Sequence, residues 1–221
     1  MATKTKICGV TLPDDAAMVA AAGADFIGLN FWPTSKRYLP PHRAPMVAAA
    51  ARAAGAVQLV GVFVNATRDE ISAIARDVAL DVIQLHGDET PADVTAIAQA
   101  TGRPVWKALA VAGPDDLASL DSWPVDAFLL DAPAVGRGGA GKVFDWNLAR
   151  DARRSYPARS LVIAGGLGPH NVAAAIDAVD PWAVDVASGV ESSPGKKDPA
   201  KLRDFISAAK EAFAKVGRSG A

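Results

Sequence analysis

The chain reads as a single-domain α/β protein, a (β/α)8 TIM barrel, and three observations predict it. Short apolar runs of strand length alternate with helix-period segments from end to end, giving eight strand runs. Polar or glycine-rich loops follow those runs, the side on which a barrel carries its working residues. At 221 residues the chain also fits the roughly 200 to 250 residues over which such barrels fold as one domain. The alternation demands parallel strands joined by right-handed crossovers, and eight units is the number that closes. An open doubly wound sheet would leave two edges, and nothing in the sequence blunts them.

The elements follow in order. Lys4 to Gly9 is the first strand. Pro13, Asp14 and Asp15 then open an alanine-rich helix that ends near Gly23, with the acids facing the positive end of the helix dipole. Asp25 to Phe31 is the second strand; its loop, WPTSKRYLPP, carries Lys36 and Arg37 and leads to a helix from about His42 to Ala54, stopped by Gly55. Val57 to Val64 is the third strand, and Thr67 caps a helix running to about Asp77. Val82 to Leu85 leads through HGDE into a helix from Pro91 to Ala100, and Pro104 to Val111 is the fifth strand. Phe128 to Leu130 is a buried sixth strand ending on Asp131, followed by a glycine loop and by Asp145, placed to cap a helix to Arg154. Leu161 to Ala164 precedes GGLGPHN and a helix from Pro169 to Ala178; Ala183 to Ala187 precedes SGVESSPGKKD and a last helix, Pro199 to Lys215. Eight helices are expected to accompany the eight strands, with a frayed tail over the last few residues.

Composition narrows the function classes. Twenty-three basic residues against 24 acidic ones give a formal charge of −1, so a polyanion-binding surface is not expected and nucleic acid is a poor partner. No segment reaches the roughly 18 consecutive apolar residues of a spanning helix, and the N-terminus lacks a signal-peptide apolar region, which points to a cytoplasmic protein with no membrane partner. Cys8 is the only cysteine, so no intrachain disulfide can form. The three histidines are scattered, and no metal is expected. Monomer or homodimer are both compatible with the sequence.

Strand C-termini hold Cys8, Asn30, Val64, His86, Val111, Asp131, Gly165 and Ser188. A thiol and a carboxylate among them can act as base and acid across a bound substrate. Either could instead be structural: a lone cysteine is often an inert buried residue, and an aspartate after a strand is often a cap. The apolar run before Asp131 makes a carboxylate there costly without a purpose, and Phe128 and Leu130 are expected to desolvate it. The runs at Gly136 to Gly141, Gly165 to Gly168 and Ser188-Gly189 suit backbone binding of a phosphate. Arg37 could hold a substrate carboxylate or a second phosphate. Lys107, within the fifth strand, could form a Schiff base or pair with a carboxylate. His86 is expected to hold the loop after the fourth strand.

These pieces together resemble the phosphoribosylanthranilate isomerase family. The matching stretches are KICG at 6–9, GLNFWPTSKRY at 28–38, GVFVN at 61–65, QLHGDE at 84–89, LLDAP at 129–133, GGAGKVFDW at 138–146, IAGGLGPHNV at 163–172 and DVASGVESSPGKKD at 185–198. The resemblance implies an Amadori rearrangement of N-(5′-phosphoribosyl)anthranilate, in tryptophan biosynthesis, without cofactor or metal. It implies Asp131 as general acid, Cys8 as general base, Arg37 against the anthranilate carboxylate, and Gly139, Gly141, Gly165, Gly166, Ser188 and Gly189 around the phosphate. The rate should then be bell-shaped in pH, the acid limb rising with thiolate and the alkaline limb falling as Asp131 ionises. Ala140 and Ala187 stand where the family often has hydroxyl residues. Rival readings are another phosphate-binding barrel, such as indoleglycerol-phosphate synthase, a sugar-phosphate epimerase or a Schiff-base aldolase, and a barrel that binds a phosphorylated metabolite only to regulate a partner.

Overall fold

The computed structural model describes residues 3–133 and 144–216. Eight parallel strands close into a barrel in chain order: β1 (Lys4–Cys8), β2 (Phe26–Asn30), β3 (Gln58–Phe63), β4 (Val82–Leu85), β5 (Val105–Ala110), β6 (Ala127–Asp131), β7 (Ser160–Ile163) and β8 (Ala183–Val186). β1 pairs with β2 on one side and β8 on the other, so no barrel edge is left open. The helices are α1 (Pro13–Ala21), α2 (Ala44–Ala54), α3 (Arg68–Val78), α4 (Pro91–Thr101), α5 (Trp146–Ser155), α6 (Val172–Val179) and α7 (Pro199–Val216). None of the described helices is long and apolar enough to cross a membrane.

The capping chemistry follows the sequence closely. Thr67 and Thr90 each accept from the backbone N–H three residues on, Glu70 and Asp93 reach back to complete capping boxes, and Asp145 accepts from the Asn147 N–H. Among the described residues the expected eighth helix is absent. Between β5 and β6 the chain makes two 3-10 turns, Pro114–Leu117 and Leu120–Ser122. Asp116 folds back to accept from the Ala112 and Gly113 N–H groups at 2.8 and 3.1 Å, and Pro114 and Pro124 bound a segment too short and too polar to propagate an α-helix. Buried Leu117 and Leu120 cover the barrel in its place. α6 likewise starts at Val172 rather than Pro169, because Asn171 Oδ1 accepts from the Gly168 N–H and keeps the preceding turn out of the helix. After β8, Glu191–Ser193 and Lys196–Lys197 form a short antiparallel hairpin, β9 and β10, that the sequence did not announce.

Strand alternation sorts side chains into two cores. Ile7, Ile27, Leu59, Ile83, Val105, Phe128, Leu130, Ile163 and Val184 face outward and pack with the helices. Inward-facing residues, Phe26, Val60, Val82, Trp106, Ala127, Leu129, Val162 and Ala183, fill the barrel. At its N-terminal end the Phe26, Trp106 and Trp182 rings meet edge-on, with centroids 5.0 Å apart for Phe26–Trp106 and 5.5 Å for Trp106–Trp182. Lys4 Nζ stands 4.8 Å from the Trp182 ring centre. Each fully buried side chain of this size contributes roughly 1.5 to 3 kcal/mol. The N-terminal end of the barrel is therefore filled by an aromatic plug, with the Lys4 ammonium on its rim.

Candidate active site

The same alternation places the chemistry. Lys4, Lys6 and Cys8 share the inward face of β1, Asp131 continues the inward series Ala127, Leu129 on β6, and Asp185 follows Ala183 on β8. Above the aromatic plug lies a buried ion pair, Lys6 Nζ to Asp185 Oδ1 at 2.9 Å. Above that pair the thiol of Cys8 and the carboxyl of Asp131 stand at the C-terminal mouth. Going round the sheet, β6 and β1 are separated by β7 and β8, so the two groups approach the mouth from different sides.

Two glycines make room for these groups. Cys8 lies opposite Gly28 in the β1–β2 register, and a Cβ on Gly28 would come within 2.7 Å of the Cys8 sulfur. A Cβ on Gly165, held at φ +84°, would come within 2.7 Å of Asp131 Oδ1. The glycine of FIGLN carried no functional signal in the sequence; its purpose is visible only once β1 and β2 are paired.

Asp131 Oδ1 accepts from the Ala132 N–H at 2.8 Å, yet burial outweighs that bond and the neighbouring Asp185 adds to it, pushing the carboxyl up to about 6. The expectation that Phe128 and Leu130 would desolvate it is corrected: both point to the helix layer. Burial also raises the Cys8 thiol, against the pull of Lys6. His86 is driven down to about 4 by burial and by Lys6, so it is a neutral imidazole at the mouth. Its loop is held chiefly by Glu89, which accepts from the Gly87 and Asn65 N–H groups and from Lys107 Nζ at 2.7 Å. Lys107 shares the outward face of Val105 and Leu109 and also donates to the Gly87 carbonyl. It is a structural cation beneath the helix layer and faces away from the mouth.

Arg37 is neither solvated nor idle. Its Nε and Nη2 donate to the two oxygens of Glu191 at 2.8 and 2.6 Å, and its stem crosses the face of Gly9. Glu191 also accepts from Lys197 Nζ at 3.1 Å, and Lys197 in turn donates to the carbonyls of Cys8 and Ala187 at 2.6 and 3.3 Å. Burial would raise the Glu191 carboxyl, but hydrogen bonds and charge from Arg37 and Lys197 hold it below the usual range. One buried lysine thus ties the ends of β1 and β8 to the β9–β10 hairpin. Glu191, Lys197 and Asp185 were not singled out in the sequence, where they lie in DVASGVESSPGKKD, quoted only for the family resemblance.

The loops after β7 and β8 meet backbone to backbone. Gly165 and Gly166 have positive φ, Asn171 Nδ2 donates to the Gly166 carbonyl at 3.0 Å, and a Cβ on Gly189 would come within 2.0 Å of the Leu167 carbonyl oxygen. Gly165, Gly166, Ser188 and Gly189 therefore lie in one neighbourhood beside the mouth, as a backbone anion cradle requires. Gly139, Gly141 and Ala140 lie outside the described residues.

The model of the N-(5′-phosphoribosyl)anthranilate isomerase family matches residues 5–208. The chain belongs to this family. The N-(5′-phosphoribosyl)anthranilate isomerase of Solibacter usitatus is 46% identical over 209 residues, spanning 94% of this chain and 98% of that protein. The crystal structure of the Thermotoga maritima phosphoribosylanthranilate isomerase superposes with a TM-score of 0.86 at 41% identity, covering 95% of this chain and 99% of that one. A phosphoribosylanthranilate isomerase solved with reduced 1-(o-carboxyphenylamino)-1-deoxyribulose 5-phosphate superposes at 0.83 and 39% identity, with the same coverage. The similarity covers every strand of the barrel.

Proposed function

We infer that this chain is an aldose–ketose isomerase that converts N-(5′-phosphoribosyl)anthranilate to 1-(2-carboxyphenylamino)-1-deoxyribulose 5-phosphate, a step of tryptophan biosynthesis. Family membership supports the reaction, and the observation that carries the mechanism is the pairing of a part-buried thiol with a carboxyl pushed to about 6 at one barrel mouth. Asp131 protonates the furanose ring oxygen as the C1′–O bond breaks and the anilino nitrogen forms an iminium. The iminium acidifies C2′–H, and the Cys8 thiolate removes that proton to give an enolamine, which tautomerises to the aminoketone. Lys107, turned away from the mouth, lends nothing to the Schiff-base aldolase reading. Freshly made substrate should lose its anthranilate fluorescence with the enzyme and keep it without. Unchanged fluorescence with folded protein would overturn the assignment.

The phosphate lies, on this reading, against the backbone of Gly165, Gly166, Ser188 and Gly189. Such contacts bind ground state and transition state alike, so Gly166→Val should raise KM more than it lowers kcat, aided by strain at φ +68°. Inhibition constants for inorganic phosphate should weaken in parallel; an unchanged KM would place the phosphate elsewhere.

On this reading Arg37 offers its remaining guanidinium N–H groups to the anthranilate carboxylate while Nε and Nη2 stay on Glu191. Arg37→Ala should lower kcat/KM by about 1.5 to 3 kcal/mol, the scale of a hydrogen bond to a charged group. Lys197 still balances Glu191 in that variant, so the fold survives. Arg37→Lys should recover only part of the loss because the fork is gone. Wild-type kinetics in both variants would confine Arg37 to holding the hairpin.

A further inference from the structure

The ion pair beneath the catalytic groups is not required by the barrel's packing. Lys6 is wholly buried and occupies an inward position where the strands around it carry apolar side chains, and Asp185 is paired with it directly across the β1–β8 register. Replacing such a pair with apolar residues of similar volume is often neutral or stabilising, so its presence asks for a reason other than stability.

Its orientation supplies one. The cation lies on β1, two residues below Cys8 on the same inward face, and its charge pulls the thiol down. The anion lies on β8, between β1 and the β7–β6 side from which Asp131 enters. We propose that Lys6 and Asp185 are positioning residues: one buried, net-neutral dipole whose positive end holds the Cys8 thiolate and whose negative end keeps the proton on Asp131. This rests on the acid and base roles given above and adds the device that sets both.

The balance of charges agrees at each group. On Cys8 the lowering by Lys6 exceeds the raising by Asp185; on Asp131 the raising by Asp185 exceeds the lowering by Lys6. Among the described residues, the other charges facing this region are Lys197 and Arg37 beside Cys8, and Lys107 and Glu89 beyond His86. Lys197 and Arg37 act on Cys8 in the same sense as Lys6; Glu191, one carboxylate against two cations, offsets part of their pull, and Lys6 remains the largest lowering influence on the thiol. His86 is neutral and contributes no charge at working pH.

The consequence is specific. The productive state needs thiolate and carboxylic acid together, although Asp131 ordinarily gives up its proton at lower pH than Cys8. A dipole that lowers one value and raises the other narrows the gap and enlarges that minority state. Removing it should do three things at once: lower the kcat/KM plateau on the order of 10- to 100-fold, move its acid limb down, and move its alkaline limb up, at roughly half to one pH unit per group. Loss of packing alone would not move the limbs apart.

The test is the double variant Lys6→Met with Asp185→Asn, which removes both charges and leaves neither unpaired. Cys8 is the only cysteine, so thiolate absorbance near 240 nm, blanked with Cys8→Ser, reports it alone and needs no turnover. The thiol titration should shift upward with the widened, lowered plateau; an unshifted titration and limbs in a folded variant overturn the proposal. Should that variant not fold, the wild-type chain decides: the Lys6 15Nζ resonance should step as Cys8 ionises and lose the step in Cys8→Ser. A resonance insensitive to Cys8 overturns the proposal as well. A thiol shift in a protein without isomerase turnover would retain the dipole and remove the assigned reaction, so the two failures are distinguishable.

Discussion

Asp131→Asn is expected to lower kcat by about 10²- to 10⁴-fold, the usual contribution of a positioned general acid, while inorganic phosphate binds as before. The amide is nearly isosteric and its oxygen can still accept from the Ala132 N–H, so the Gly165 contact and the β6 terminus are preserved. What disappears is the transferable proton. Expulsion of a ring oxygen as an alkoxide is too poor a step to proceed without one. A ligand that is already ring-opened, such as a reduced product analogue, needs no proton and should keep its affinity. Single-turnover rates with a parallel binding titration measure both, and a near-wild-type rate with intact binding would remove Asp131 from the chemistry.

The barrel was legible because each strand announces itself as an apolar run with a turn signal behind it, as in Val82 to Leu85 before HGDE. Capping residues were legible for the same local reason: Thr67 and Glu70 are three apart in sequence and in contact. The fifth crossover was not, since the pull of Asp116 on the Ala112 and Gly113 N–H groups competes with helix formation at a level that periodicity does not register. Cys8 and Asp131 were singled out from strand-end position, and their roles were read from the family resemblance. Their supporting groups were hidden for a physical reason: Lys6 and Asp185 are 179 residues apart and meet only when β8 closes on β1. Glu191 and Lys197 were hidden because a Lys- and Glu-bearing turn is normally solvated, whereas both side chains here are buried beside Arg37. Of the two readings of Lys107 the pairing with a carboxylate is the one observed, with Glu89, since Trp106 and Ala108 take the inward positions on either side of it.

Cys8→Ala should cost a comparable factor, about 10²- to 10⁴-fold in kcat, and the pH dependence should show why. In the wild type the carboxyl loses its proton near 6 and the thiol only above its ordinary range. Between those values the common form is carboxylate with thiol, and the productive form, acid with thiolate, holds the same number of protons. Its share is therefore constant with pH, and kcat/KM should run flat across that window. Below about 6 a further proton is taken up and the rate falls; above the thiol's value the shared proton is lost and the rate falls again. The acid limb thus carries the carboxyl's value and the alkaline limb the thiol's, the reverse of the assignment drawn from the sequence. Cys8→Ala leaves only the need for a protonated Asp131, so its residual rate should be flat below that carboxyl's value and fall along a single limb above it, in place of the wild-type plateau between two limbs. A Cys8→Ala enzyme that keeps the wild-type plateau and rate would make the thiol a packing residue and place the base on another group at the mouth.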